Sequence, residues 1–207
     1  MENLLHIAAS PRLERSHSRK LAAEFIASYM EHHPGCRLTE FNVGAVEQTR
    51  FGAAGAAAKF KSLRNQELTP PERREWDDAR ACFEQWKAAD LLIVSTPMWN
   101  FSMPYHLKQW IDHVMQPGWS FGYDPEKGYS PLLAGKKAVF ICACGSVYDT
   151  PEAQGVDFLR PYLRTWAGFH GLDFRLVSVE GTNAGSEILA VNEAAARAKL
   201  AELARGL

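Results

Sequence analysis

The sequence predicts an α/β fold, a doubly wound parallel sheet of five strands with helices on both faces. Three observations carry this. Short apolar runs alternate with segments of helical period, at intervals that suit βαβ crossovers. The best buried strand, residues 90–95, holds Leu91, Leu92, Ile93 and Val94 in succession, apolar on both faces as a central parallel strand must be. The 207 residues, 46% of them hydrophobic, suffice for one well-buried domain, and no repeat or linker divides 1–207.

Residues 4–9 are apolar, end in Ser10-Pro11, and read as the first strand. Leu21, Phe25, Ile26 and Tyr29 then give one helical face over about 18–33, stopped by Pro34-Gly35. The alternation over 37–43 predicts a second strand with one wetter face. Residues 44–69 are the least legible stretch; the alanine- and glycine-rich part, 51–60, suits either a helix or an irregular loop. Pro70-Pro71 opens a helix whose buried face is Trp76, Ala79, Cys82, Phe83 and Trp86, and the strand at 90–95 follows. Pro104 suits the first position of the next helix, where its missing N–H costs nothing. Leu107, Trp110, Ile111 and Val114 give that helix one buried stripe. Turn residues and aromatics over 116–135 suggest an excursion with a short hairpin, hanging over the same end of the sheet as Trp99. Strands at 138–144 and 174–179, a helix over about 155–169 and a terminal helix over 186–205 complete the pattern. Each crossover must be right-handed, which distributes the helices over both faces.

With 23 basic and 24 acidic side chains, the formal charge is −1, so no global field draws the chain to nucleic acid or an anionic membrane. No apolar run reaches the ~20 residues that span a bilayer. Glu2 stands where a signal segment would carry basic residues, and a cytoplasmic location is the expectation. Cys36, Cys82, Cys142 and Cys144 form no C-x-x-C pair and no paired spacing with histidine, which argues for free thiols over structural zinc. Cys144 is the thiol to which a reactive role would fall.

Two segments carry the chemistry. The turn after the first strand reads SPRLERSHS, and its Ser10, Ser16 and Ser18 place hydroxyls beside the free N–H groups and positive end of a helix. That is a phosphate site, although a serine there can equally do no more than cap the helix. The turn has neither G-x-G-x-x-G nor a phosphate-loop lysine, which counts against tightly held NAD and against nucleotide triphosphate hydrolysis. The second segment, PMWNF at 97–101, follows the central strand, where open α/β sheets bind ligands. Met98, Trp99 and Phe101 offer apolar faces and Asn100 one amide, a composition that suits a flat, partly polar ring as well as ordinary core packing. His32, His33, His106 and His113 lack carboxylates or cysteines at ligand spacing and read as surface or capping residues, with no metal site. There is no G-x-S-x-G elbow, and Asp77-Asp78 reads as a solvated helix face.

Taken together, Ser10-Pro11 with Ser16-x-Ser18, Pro97 to Phe101 with Pro104, Leu107-Lys108, Trp110 and Asp112, and Gly118-x-x-Phe121-x-Tyr123 closely resemble the FMN-dependent NADH:quinone oxidoreductases called azoreductases. The likeness extends over nearly the whole chain. It implies a flavodoxin-like fold, non-covalent FMN, NADH or NADPH as electron donor, and quinones or azo compounds as acceptors. It also implies a homodimer with the site at the subunit interface. By that likeness Ser10, Ser16, His17 and Ser18 hold the FMN phosphate, and Met98, Trp99, Asn100 and Phe101 the ribityl chain and ring. Ala143, Cys144, Gly145 and Ser146 then complete the flavin contacts. Trp99 stands where members often have Tyr. Ala143 to Ser146 stand where they often read Ser-Arg-Gly-Gly, so a hydroxyl and a guanidinium are lost while Gly145 still permits close backbone approach. The expected mechanism is a two-step, ping-pong hydride relay in which the flavin carries the chemistry and no side chain is an obligatory acid or base. Backbone N–H groups at 99–101 would tune the ring, and Phe121 and Trp166 would wall the acceptor pocket. The alternative is an FMN-binding electron carrier or sensor without nicotinamide turnover, for which the aromatic excursion at 119–129 is more cover than needed. A non-flavin scaffold on the same fold is a third reading.

Overall fold

The computed structural model describes residues 2–207. In chain order it contains β1 (Asn3–Ala8), α1 (His17–His32), β2 (Arg37–Phe41), α2 (Ala53–Ser62), α3 (Pro70–Ala88), β3 (Leu91–Pro97) and α4 (Tyr105–Val114). The hairpin β4 (Phe121–Asp124) and β5 (Gly128–Pro131) follows, then β6 (Lys137–Ala143), α5 (Pro151–Gln154), α6 (Arg160–Phe169), β7 (Asp173–Val179) and α7 (Ser186–Gly206). The main sheet has the order β2-β1-β3-β6-β7 with every pair parallel. This is the flavodoxin-like order, and the expected five-stranded parallel sheet is the one observed.

Strand alternation sorts the core into two layers. Leu5, Leu92, Val94, Ala138 and Phe140 face α3, α4 and α6 through Phe83, Trp86, Leu107, Trp110 and Leu163. Leu4, Leu91, Ile93, Val139 and Ile141 face α1 and α7 through Leu21, Phe25, Leu200 and Ala204. The chain leaves β1 toward one side of the sheet and returns to β3 on the other, so the crevice between their carboxyl ends is a topological switch point. Ser10 and Met98 lie just beyond those two ends.

Several elements differ from expectation. β2 is an edge strand exposed on both faces except at Phe41, because only β1 borders it. The region 44–69 contains α2, which borrows its N-terminal cap from α3: Glu75 Oε2 accepts the Gly52 and Gly55 N–H groups, each at 2.7 Å. Pro104 precedes the first turn of α4, with ψ 145°, and its carbonyl accepts from Leu107 and Lys108. The helix expected over 155–169 begins at Arg160, because Asp157 Oδ1 takes the N–H groups of Leu159 and Arg160 and caps it there. The hairpin is antiparallel as expected, but its root sits at the amino end of β6 and β7. Phe121 packs edge-on against Phe169 at 5.2 Å, and the Gly135 N–H donates to the Gly171 carbonyl. His106 and His113 are buried on the inner face of α4, not at the surface, and His106 Nε2 lies 2.7 Å from the Ala9 carbonyl oxygen. His32 does serve the end of α1, its Nδ1 2.7 Å from the Ser28 carbonyl oxygen.

Candidate functional site

The loops after β1, β3, β6 and β7 converge on one cleft of about 160 Å³, lined by Ser10, Ser16 and His17, by Met98 and Trp99, and by Ala143, Gly145 and Asn183. Four separate segments of sequence thus meet at the carboxyl edge of the sheet. At one end, Ser16 caps α1, its Oγ accepting from the Arg19 N–H at 3.3 Å, and lies 3.2 Å from the buried Ser18 hydroxyl. The capping reading of the serine turn therefore holds for Ser16. Among the described residues the N–H groups of His17 and Ser18 have no partner, and they stand at the positive end of a 16-residue helix. His17 is held through Nδ1, 2.6 Å from Glu193 Oε1 of α7. Arg12 also belongs to the lining. Beneath the loop, Gly44 has no room for a side chain: a Cβ there would lie 2.9 Å from Ser10 C and 3.0 Å from Pro11 N.

The other end is a tight turn. Trp99 and Ser102 exchange both backbone hydrogen bonds, at 2.7 and 2.9 Å. The two residues between them have positive φ, 46° at Asn100 and 70° at Phe101. That is the signature of a type I′ turn, which Asn tolerates and Phe does not favour. The turn leaves Trp99 and Phe101 37% and 53% exposed and the Asn100 and Phe101 N–H groups unpartnered among the described residues. The Trp99 N–H, by contrast, is committed to Ser102 and free for nothing else. Strain of this kind persists where surrounding structure imposes it, and it concentrates at binding sites.

A family of flavodoxin-like fold matches residues 2–203. An FMN-dependent NADH:quinone oxidoreductase from Nitratidesulfovibrio vulgaris is 39% identical over 208 residues, spanning 99% of this chain and 97% of the relative. The chain belongs to the FMN-dependent NADH:quinone oxidoreductase family. The crystal structure of an azoreductase from Bacillus anthracis str. Sterne superposes with a TM-score of 0.93 at 29% identity, covering 100% of both chains. An FMN-dependent NADH-azoreductase from Bacillus anthracis str. Ames Ancestor, solved in complex with FMN, superposes at 0.87 with 25% identity over 99% of this chain and 100% of that one.

In this member of the quinone oxidoreductase family the third wall of the cleft is mostly backbone. Ala143 and Gly145 line it, whereas Cys144 is fully buried and Ser146 is exposed outside the lining. Burial pushes the Cys144 thiol up to about 12, which leaves no thiolate for a reactive role. The wall is stapled to the next loop by bonds from the Thr182 N–H to the Cys144 carbonyl and the Asn183 N–H to the Gly145 carbonyl, each 3.0 Å. A Cβ at Gly145 would lie 2.6 Å from the Asn183 amide nitrogen, so glycine is what lets Asn183 reach the cleft. Arg12, Thr182 and Asn183 line the site without having been singled out in the sequence. Position after a strand was the one available signal for the last two.

Behind the wall, the Tyr148 hydroxyl donates to Met98 Sδ at 2.8 Å. The Arg160 guanidinium lies 5.1 Å over the Tyr148 ring and pairs with Asp157 and Glu180. Burial works against the Arg160 charge, but the two carboxylates outweigh it and raise its pKa.

The quinone oxidoreductase site opens onto a groove of about 1070 Å³ that starts at Trp99 and Asn100 and follows the outer face of α4. Phe121 borders it. Trp166 does not. It is 3% exposed and stacks 4.9 Å from Trp86 in the core, because Leu163, Trp166 and Ala167 form the inner face of α6. Tyr162, on the other side of that helix, borders the groove instead.

Proposed function

We propose that the chain is an FMN-dependent NAD(P)H oxidoreductase that passes two electrons to quinones and azo compounds, with donor and acceptor using one site in turn. The observation that carries this is the cleft at the carboxyl edge of the sheet, lined by Ser16 and His17 at the start of α1 and by Met98 and Trp99, with the unpartnered N–H groups of Ser18, Asn100 and Phe101 in the segments that flank it. The family's cofactor fits its chemistry: a phosphate suits His17, Ser18 and Arg12, and a flat ring suits Met98, Trp99 and the unoccupied donors of Asn100 and Phe101. Ser10 and Ser16 border the phosphate end and Ala143 and Gly145 the third wall, whereas Cys144, with its N–H bonded to the Val179 carbonyl and its own carbonyl to the Thr182 N–H, and Ser146 stand back from the cleft. Bound flavin supplies reversible hydride acceptance; the chain supplies binding, orientation and electrostatics. The Phe101 and Asn100 N–H groups act as fixed dipoles toward a ring edge that gains charge, and they need no reorganisation to do so. Met98, steadied by Tyr148, and Trp99 offer apolar faces that exclude water from the ring.

The wide groove favours turnover over a carrier role, since it gives a second aromatic molecule access beside Trp99 and Phe121. The same reading includes a homodimer. Trp99, Phe101 and Tyr105, the last 76% exposed, form an apolar face that a second copy would cover. It also takes 1–207 as one domain and a cytoplasmic location, which four free cysteines suit. Among the described residues no helix is long and apolar enough to cross a membrane. The test is spectroscopic. Purified protein should carry or take up a yellow chromophore that NADH or NADPH bleaches without oxygen and a quinone restores, with parallel initial-rate lines when both substrates vary. A colourless protein that ignores added FMN overturns the reading, converging lines overturn its ping-pong part, and a monomer by sedimentation its dimer part.

A further inference from the structure

We propose that Glu193 is a positioning residue for the cofactor phosphate: from α7 it fixes the His17 ring through Nδ1 and leaves Nε2 as the nitrogen that serves the cleft. The inference rests on the flavin reading above. His17 lines the cleft and Glu193 does not, so the carboxylate stands behind the ring and the cleft in front of it. The contact is 2.6 Å between groups 24% and 18% exposed, a partly dry setting in which a charge-assisted hydrogen bond is strong. Among the described residues Nε2 has no partner. Which ring nitrogen carries a proton is decided by the bond the other one makes. With Nδ1–H donating to Glu193, Nε2 is the ring atom left to meet a phosphate, and it does so as a donor when the ring carries both protons.

A carboxylate this close to an anion site would also repel the anion. Here the second oxygen of Glu193 pairs with Arg197 at 3.3 Å, and Arg197 is in turn held by Glu24 at 2.8 Å. The His17 hydrogen bond, and after it Arg197, holds the Glu193 carboxyl below the usual carboxylate range, so it stays charged throughout the range in which histidine titrates. The charged groups around His17 are thus Glu193 and Arg197 from α7, Glu24 from α1 and Arg12 in the same cleft lining. The arrangement repeats the logic by which a carboxylate orients a metal-binding histidine.

The experiment is a fluorescence titration of flavin-free protein with FMN and with riboflavin, which lacks the phosphate. Glu193→Ala should weaken FMN by about tenfold, the low end of what such orienting partners contribute to metal affinity, and leave riboflavin unchanged. In a His17→Gln background, Glu193→Ala should have no further effect on FMN. Glu193→Gln, which still accepts from Nδ1–H, should retain the orientation and hold FMN more tightly than Glu193→Ala does. Equal weakening of FMN and riboflavin would show a structural role and overturn the proposal, as would an undiminished effect in the His17→Gln background. Failure of the unsubstituted protein to bind either flavin would instead overturn the flavin reading itself.

Discussion

Phe101→Gly should make the flavin-free protein more stable and its hold on FMN weaker. Phe101 sits at φ 70° in the turn closed by Trp99 and Ser102. An L-residue in the left-handed region costs roughly 1–2 kcal/mol, a penalty that glycine escapes. Glycine returns roughly 0.5–1 kcal/mol of this through the greater entropy of the unfolded chain. The ring is 53% exposed, so little packing is lost, and the Phe101 carbonyl still accepts from the Phe158 N–H at 2.9 Å. The balance is a gain of about 0.5–1 kcal/mol, or about 1–4 °C in Tm for a chain of this size. The ring's contribution at the site is that of one aromatic contact, about 0.5–1.5 kcal/mol, or roughly a two- to tenfold weaker Kd for FMN. Thermal melting without flavin and fluorescence titration with it read the two effects separately. A lower Tm would show that the turn stores no strain, and an unchanged Kd would remove Phe101 from the cofactor site.

Asn100 separates conformation from recognition in the same turn: Asn100→Gly keeps the positive φ and should weaken FMN through loss of the amide alone, while Asn100→Leu should also lower Tm. Equal FMN affinity in both variants and the parent would leave the amide without a role. Gly44→Ala places a Cβ within 2.9–3.1 Å of three backbone atoms of Ala9, Ser10 and Pro11, which cannot move independently. It should cost about 1–3 kcal/mol by overpacking and shift the phosphate loop, so that FMN binding falls more than riboflavin binding; a wild-type melting curve would refute this. Glu40→Gln tests a polar chain that runs from the exposed Glu40 on β2 through the buried His6 of β1 to Ser95 of β3. The Glu40 carboxyl is held below its ordinary value first by the His6 hydrogen bond, at 3.0 Å, and also by Arg19. A carboxylate with a depressed folded-state pKa stabilises fully above its unfolded value, about 4.3, and loses that contribution as pH falls through the folded value. The gap in urea midpoint between wild type and Glu40→Gln should therefore be widest near pH 7 and close below pH 4. A constant gap would contradict the assignment.

What the sequence made legible was local. The apolar succession Leu91 to Val94 could belong only to a covered strand, and the two serines around His17 marked a helix start whatever else they did. The Asp157 cap and Pro161 that start α6 were present too, but the helical period ran through them and hid the boundary. Trp166 shows a different limit. Spacing groups Leu163, Trp166 and Ala167 on one face of α6, but only the packed sheet decides whether that face meets core or groove. Pairings across long separations left no trace: Glu193 with His17 spans 176 residues, and Gly44 beneath Ser10 or Asn183 against Gly145 follow from crossover geometry alone.

The loop after β6 shows how this chain meets the loss of the side-chain donors that resembling sequences often carry there. Ala143 and Cys144 contribute no polar atom to the cleft, and Cys144 is turned inward as strand alternation requires. The Gly145 N–H has no partner among the described residues, and the absence of a side chain at that position admits the Asn183 amide from the neighbouring loop. On the proposed flavin reading, the donors available at this wall are thus the backbone of one loop and the amide of the loop beside it. A backbone N–H and a neutral amide carry no net charge, whereas a guanidinium does. Less positive charge beside a ring that gains an electron pair stabilises the reduced form less. On that reading, the loss of the guanidinium should show in the reduction potential of bound flavin more than in the shape of the site, and a potential no lower than that of a variant carrying Cys144→Arg would refute it.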